Sequence, residues 1–306
     1  MIQSFFQSLP DELQVSTGEL LYNSYNELYY KLTGAERKII NIHNEEMRYF
    51  TAGNPEKPCL IFLHGFSDAK ESYLPLTNSL IDSYYIIVPD LIGFGKSSRP
   101  KIRYSISQYV RWVHEFLEKL NINNAYIMGN SMGGAILMEL AVFYPSRIKS
   151  IALLNSAGLI MHSDSMNLYD LYLYGKNLFE IENDKDFDFF LSYLIYEPNK
   201  FPPPIKKHLY QKYTKNADWY TYLMHELLHD IVYSEEVKNI HHKNIKKINI
   251  KTHIIWGKED KLLPLEIGSE LNRLIPNSTL KIFENVGHAP HMEVPDRLSD
   301  YIRLIF

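Results

Sequence analysis

The sequence predicts an α/β fold: a mostly parallel central sheet with helices on both faces, interrupted by an inserted helical segment. Three observations carry this. Between residues 38 and 156, short β-branched or apolar runs alternate with helix-length runs, the rhythm of strands joined by helices. From 159 to about 247 no buried strand is evident, and the alternation resumes at 252. Finally, the turn Gly129-Asn130-Ser131-Met132-Gly133-Gly134 joins an apolar run to a helical one. That is the strand, tight turn, helix context in which a serine flanked by glycines carries chemical meaning.

The elements follow in order. Residues 1–10 hold no basic residue ahead of their short apolar patch, so they do not read as a secretory signal. In 19–32, Leu21, Tyr25, Leu28, Tyr29 and Leu32 fall on one helical face. The favoured reading is a helix packed on the main domain. The alternative is a peripheral membrane contact through residues 1–32, although the segment lacks the Lys/Arg-rich polar face of such helices. No stretch reaches the length needed to span a bilayer.

Residues 39–42 and 47–51 read as an antiparallel strand pair. Residues 59–63 form a continuous apolar run, expected of a strand buried on both faces. Further strands are expected at 84–88, 126–128 and 148–154, with helices at 71–81, 106–120 and 132–144. The insertion reads as several Tyr- and Phe-rich helices with Pro202-Pro203-Pro204 as a stop in the middle. Strands at 252–256 and 279–283, a helix at 265–274 and a final helix from 296 complete the chain. This divides it into an N-terminal helical segment (1–37), an α/β core (38–158 and 248–306) and a helical cap (159–247). Such caps roof the carboxyl ends of the strands, where ligands bind.

Composition narrows the function classes. The chain has 306 residues, 45% of them apolar, enough for a full core. Lys and Arg total 32 against 36 Asp and Glu, a net charge of -4, which gives no electrostatic case for nucleic acid. The one cysteine, Cys59, cannot form an internal disulfide and fits a reducing compartment. A cytoplasmic location is therefore expected, with peripheral membrane contact as the alternative.

Nucleophilic catalysis by serine needs a base to take the proton and an acid to orient the base. Ser131 is the candidate nucleophile. Trp256-Gly257-Lys258-Glu259-Asp260 ends an apolar run and puts Asp260 at the same sheet edge. Glu284-Asn285-Val286-Gly287-His288 follows the next run and leaves His288 there too. A lone histidine among twelve would read as a surface residue, but three matching groups at strand ends reverse that. Glu259 is the rival acid, and Asp260 is favoured. Two backbone N–H groups must meet the developing oxyanion; Met132, after the serine, and Phe66, in the His64-Gly65-Phe66-Ser67 loop, are the candidates. His64 and Asp90 read as loop braces.

His225-Glu226-Leu227-Leu228-His229 matches a zinc-binding pattern. No third ligand is evident at a suitable spacing, and the favoured reading is the polar face of a cap helix. His241-His242 reads as solvated. No metal or organic cofactor is implied.

His64-Gly65-Phe66, Asp90 with Gly93, Gly95 and Ser97, the Ser131 turn, the 155–159 run, Trp256 to Asp260 and Gly287-His288 together resemble the α/β-hydrolase superfamily, over about residues 38–306. The resemblance implies the α/β-hydrolase fold and the chain order Ser, acid, His. The 64–67, 156–159 and 254–260 segments are most similar to membrane-associated monoacylglycerol lipases. That similarity implies a carboxylic-ester hydrolase acting on a small-molecule acyl ester or monoacylglycerol. Those relatives often carry a membrane-spanning N-terminal helix, where this chain offers the Tyr-rich 19–32 segment. The turn is also similar to that of meta-cleavage product hydrolases, which split carbon–carbon bonds. Those enzymes place tryptophan after the catalytic histidine, where this chain has Ala289, and use a cap arginine, whereas no arginine occurs between 159 and 250. The aspartate nucleophile of dehalogenases and epoxide hydrolases is replaced here by Ser131.

Overall fold

The computed structural model describes residues 10–161 and 166–306. The reading of residues 1–9, and their part in the N-terminal membrane alternative, lie outside the described residues.

The chain opens with α1 (Asp11–Thr33), then β1 (Glu36–Ile42) and β2 (Glu45–Ala52), an antiparallel pair. β3 (Cys59–Leu63), α2 (Leu74–Leu80), β4 (Tyr85–Pro89), α3 (Ile106–Lys119), β5 (Ala125–Asn130), α4 (Met132–Phe143) and β6 (Ile148–Leu154) follow. The helical insertion comprises α5 (Leu168–Leu173), α6 (Asp184–Leu194), α7 (Pro203–Thr214), α8 (Ala217–Tyr233) and α9 (Glu235–Ile245). The core resumes with β7 (Thr252–Gly257), α10 (Leu265–Leu274), β8 (Ser278–Phe283), α11 (Pro290–Glu293) and α12 (Pro295–Ile305).

The eight strands form one sheet in the order β1-β2-β4-β3-β5-β6-β7-β8. β2 pairs antiparallel with β4, and every pair from β4 to β8 is parallel. The parallel register turns the carboxyl ends of β5, β7 and β8 to one edge. Two apolar layers hold the sheet between helices. Ile61, Leu63, Ile127 and Ile254 pack on the side of α3, α4 and α10, while Leu60, Phe62, Met128 and Ile255 pack on the side of α2 and α12. Alternation of side chains along each strand produces this two-sided burial. α3 shows the matching helical pattern: Tyr109, Val113, Phe116 and Leu117 are buried, and the Ser105 side chain caps its start by accepting from Gln108 N at 3.1 Å.

Two local expectations change. Pro203 and Pro204 occupy the first turn of α7, so the proline run starts a helix instead of stopping one; the missing N–H groups would be unpaired in that turn anyway. α1 does pack on the domain, but not through the expected face. Gly18, Asn26, Tyr30 and Thr33 are buried, while Leu21, Leu28 and Leu32 are 40%, 53% and 55% exposed. Contact distance decides this: a Cβ on Gly18 would lie 1.9 Å from the Pro204 carbonyl oxygen. The backbones of α1 and α7 meet at a small residue, which a count of apolar side chains does not register. Among the described residues no helix is long and apolar enough to cross a membrane.

Candidate active site

Ser131 sits between β5 and α4 at φ 51° and ψ -117°, a region that costs a non-glycine residue about 1–3 kcal/mol. The surroundings hold it there. Its amide donates to Leu154 O (3.0 Å), and its carbonyl accepts from Gly134 N (2.9 Å) and Ala157 N (3.0 Å). The turn closes tightly because its flanks are bare: a Cβ on Gly129 would lie 2.4 Å from Gly133 O, and one on Gly133 2.2 Å from Leu63 O.

Asp260 and His288 come from the turns after β7 and β8. His288 Nδ1 lies 2.8 Å from Asp260 Oδ2, which makes Nδ1 the protonated ring nitrogen and leaves Nε2 as the acceptor. Both side chains are buried. The remaining acceptor capacity of Asp260 is also used. Oδ1 accepts from Leu262 N (2.9 Å) and Leu263 N (3.0 Å), and Oδ2 accepts from Asn155 Nδ2 (2.6 Å). The rival acid, Glu259, is turned aside and accepts from Val286 N at 2.8 Å.

Three positioning residues escape the sequence reading. Asn155, at φ 43° just after β6, donates to Asp260 and to Gly287 O (3.2 Å) and accepts from Gly257 N (3.2 Å). Read for an acid, the run 155–159 offers none; an asparagine able to take a positive φ at a strand end is the available signal. Asn130 Nδ2 donates to Leu154 O (3.0 Å) and His288 O (3.2 Å), tying the serine turn to the histidine loop.

Glu293 clamps that loop from the other side. Its carboxylate accepts from Gly287 N (3.0 Å), Ala289 N (3.2 Å) and, across to the insertion, Tyr196 N (2.9 Å). Burial pushes its carboxyl above the usual glutamate value, against these donors, which pull it down. Glu293→Gln would set an NH2 group among three N–H donors. We expect kcat on an ester to fall about 10-fold with KM nearly unchanged, read by steady-state kinetics beside a circular dichroism spectrum that stays the same.

The Phe66 and Met132 amides have no acceptor among the described residues, a condition for meeting an oxyanion. His64 and Asp90 brace the loops beneath. His64 Nε2 accepts from Leu91 N (2.9 Å), and Asp90 accepts from Lys70 N (2.8 Å), Lys70 Nζ (2.6 Å) and Lys96 N (2.9 Å).

Two cavities meet at Ser131. A narrow apolar pocket of about 70 Å³ runs under the insertion past Met132, Met138 and Leu227 to Glu139 and His241. A wide cavity of about 610 Å³ contains Ser131 and His288 and is walled by Phe179, Phe190 and Tyr213 of the insertion. His241 is therefore not solvated: its Nδ1 lies 2.8 Å from Oε1 of the buried Glu139, because α9 packs across α4. Aromatic residues of the insertion divide their roles. Phe187 packs against Phe190, Tyr210 and Tyr213, and of these partners Phe190 and Tyr213 also line the cavity. In the zinc-like pattern, Glu226 accepts from Tyr104 N at 3.3 Å, and among the described residues no three potential ligands converge on a metal position.

Known proteins share this fold. Residues 58–191 match the family described as the alpha/beta hydrolase fold. Lipase 1 of Psychrobacter immobilis is 31% identical over 258 residues, covering 84% of this chain and 79% of the relative. Human monoacylglycerol lipase ABHD6 is 29% identical over 273 residues, covering 85% and 80%. Among solved structures, a membrane phospholipase A described as a bacterial virulence factor shares the fold with a TM-score of 0.84 at 24% identity, covering 94% of this chain and 91% of that one. A dienoate hydrolase from a Rhodococcus strain also shares it, with a TM-score of 0.73 at 22% identity, covering 89% and 99%. With a relative of that identity and coverage, the chain belongs to the α/β-hydrolase family, as one of its ester hydrolases.

Proposed function

We propose that the chain hydrolyses acyl esters of lipid origin, monoacylglycerols among them, through Ser131, His288 and Asp260. His288 Nε2 takes the Ser131 hydroxyl proton as Oγ attacks the ester carbonyl carbon. The N–H groups of Phe66 and Met132 meet the resulting oxyanion; losing one such donor costs about 3 kcal/mol of transition-state stabilisation. Collapse of the tetrahedral intermediate breaks the bond to the alcohol, which leaves with the proton from His288. Water then attacks the acyl carbon, giving its proton to His288; the bond to Ser131 Oγ breaks, His288 returns the proton to Oγ, and the carboxylic acid departs. Asp260 holds the imidazole tautomer and stabilises the imidazolium formed in each half.

The observation that carries this reading is the Asp260–His288 pair at 2.8 Å, opening into the cavity that Ser131 also lines. The names of the relatives, lipase and monoacylglycerol lipase, support a lipid ester as substrate. The exposed stripe of Leu20, Leu21, Tyr25, Leu28 and Leu32 on α1 supports peripheral contact with a lipid surface.

The test is a series of p-nitrophenyl esters and monoacylglycerols of increasing chain length, with and without lipid vesicles. We expect ester turnover, covalent labelling by a fluorophosphonate probe, and faster hydrolysis of long-chain monoacylglycerols when vesicles are present. A dienoate substrate turned over faster than every ester would replace this reading with carbon–carbon bond hydrolysis.

A further inference from the structure

Among the described residues, one lysine or arginine lines the wide cavity, Lys212 of α7. Its ammonium lies 5.4 Å from the centre of the Tyr22 ring of α1 and has no ion-pair partner among the described residues. Four acidic groups line the same cavity and all are engaged, Glu197 among them. Asp68 accepts from Ser72 Oγ at 2.8 Å, with His291 Nε2 at 3.4 Å. Glu71 pairs with Lys70 at 2.8 Å and accepts from Tyr30 OH at 3.2 Å. Glu293 holds the histidine loop. Beside Lys212, the Tyr213 hydroxyl meets Ser67 Oγ at 3.4 Å, so hydroxyl donors stand near the ammonium. Burial works against the lysine charge, but Tyr22, Tyr213, Tyr220 and Asp68 hold its pKa above the usual lysine value, and it is charged at neutral pH.

The leaving alcohol must lie on this side, because His288, which returns a proton to the leaving oxygen, lines the wide cavity and not the narrow pocket. With no carboxylate at ion-pair distance among the described residues, the charged ammonium is open to an anionic group of a ligand. A planar carboxylate is best met by the two-pronged guanidinium of arginine, whereas an ammonium with nearby hydroxyls suits tetrahedral phosphate. Resting on the ester-hydrolase reading above, we propose that Lys212 is the recognition group for a phosphate on the alcohol portion of the substrate, so that the site takes phosphate-bearing monoacyl lipids. α1 then completes the substrate cavity, since Tyr22 and Asn26 line it together with Lys212.

The test compares kcat/KM on a monoacylglycerol phosphate, the monoacylglycerol of the same chain, and its hemisuccinate, for the wild-type chain, Lys212→Gln and Lys212→Arg. p-Nitrophenyl butyrate, which carries no phosphate, reports the ester-hydrolase reading separately; no turnover of it or of any other ester by the wild-type chain would defeat that reading. With turnover present, Lys212→Gln is expected to lose about 10- to 100-fold on the phosphate substrate, mostly in KM. It should stay within about 2-fold on the monoacylglycerol and on p-nitrophenyl butyrate, with arginine restoring most of the loss. Equal losses on phosphate and neutral substrates, no loss on phosphate, or a loss confined to the hemisuccinate would each overturn the proposal.

Discussion

Ser131→Ala is expected to lower kcat for p-nitrophenyl butyrate by a factor on the order of 10⁴ or more and to abolish fluorophosphonate labelling. The oxygen removed is the only atom at that turn able to form the acyl bond, and the residual rate would come from the Phe66 and Met132 amides. The variant should fold, because the contacts that hold the turn are made by the Ser131 backbone and by the bare faces of Gly129 and Gly133. Alanine keeps the strain at φ 51°, whereas Ser131→Gly relieves it. Glycine at this position should therefore be inactive yet more stable than Ser131→Ala by about 1 kcal/mol, measured by urea denaturation. An alanine variant with retained turnover would remove Ser131 from the mechanism.

Asp260→Asn carries the second large effect, about 10⁴-fold in kcat. Four donors converge on this carboxylate: the Leu262 and Leu263 amides, Asn155 Nδ2 and His288 Nδ1. A carboxylate accepts all four, but an amide has one oxygen and one NH2 group. Whichever way the substituted side chain turns, its NH2 faces donors. With the NH2 toward His288, the ring adopts the tautomer with its proton on Nε2, and that nitrogen no longer accepts the serine proton. With the NH2 toward the 262–263 turn, two backbone donors lose their acceptor, at about 1–3 kcal/mol of stability for each buried group left unpaired. Glu259→Gln, whose carboxylate serves only the Val286 amide in this loop, should retain most of the activity. The reverse ranking of the two variants, in kinetics at one pH, would transfer the acid role to Glu259.

Much of the candidate site is legible in the sequence because its chemistry is local. Ser131 is announced by glycines on both sides of a strand-to-helix turn, and Asp260 and His288 each follow an apolar run by a few residues. A parallel sheet then delivers all three to one edge without further instruction. The strands at Cys59–Leu63 and Ile148–Leu154 and the helix at Leu265–Leu274 have the bounds the pattern predicts, since continuous or periodic burial is written directly into residue type. Asn155, Asn130 and Glu293 are harder to find. Their roles lie in which backbone groups they meet, and those belong to segments more than a hundred residues away for Asn155 and Asn130. For Glu293 two partners, Gly287 and Ala289, are close in sequence, but the loop that turns them inward exists only in the folded chain, and the third, Tyr196, lies far off in the insertion. α1 misleads the periodicity reading for a related reason: Gly18 admits the backbone of α7, and backbone proximity outweighs a stripe of leucines that has nothing to pack against.

The sequence by itself determined the alternating layers, the serine turn and the chain order of Ser131, Asp260 and His288 at strand ends, because these follow from side-chain period and strand-end position. Only the tertiary structure decided which acid faces His288, that His241 pairs with Glu139 under the insertion, and that Lys212 stands in the same cavity as Ser131. Each of those depends on where two distant segments cross, and a crossing is set by how closely backbones and side chains fit when the core closes.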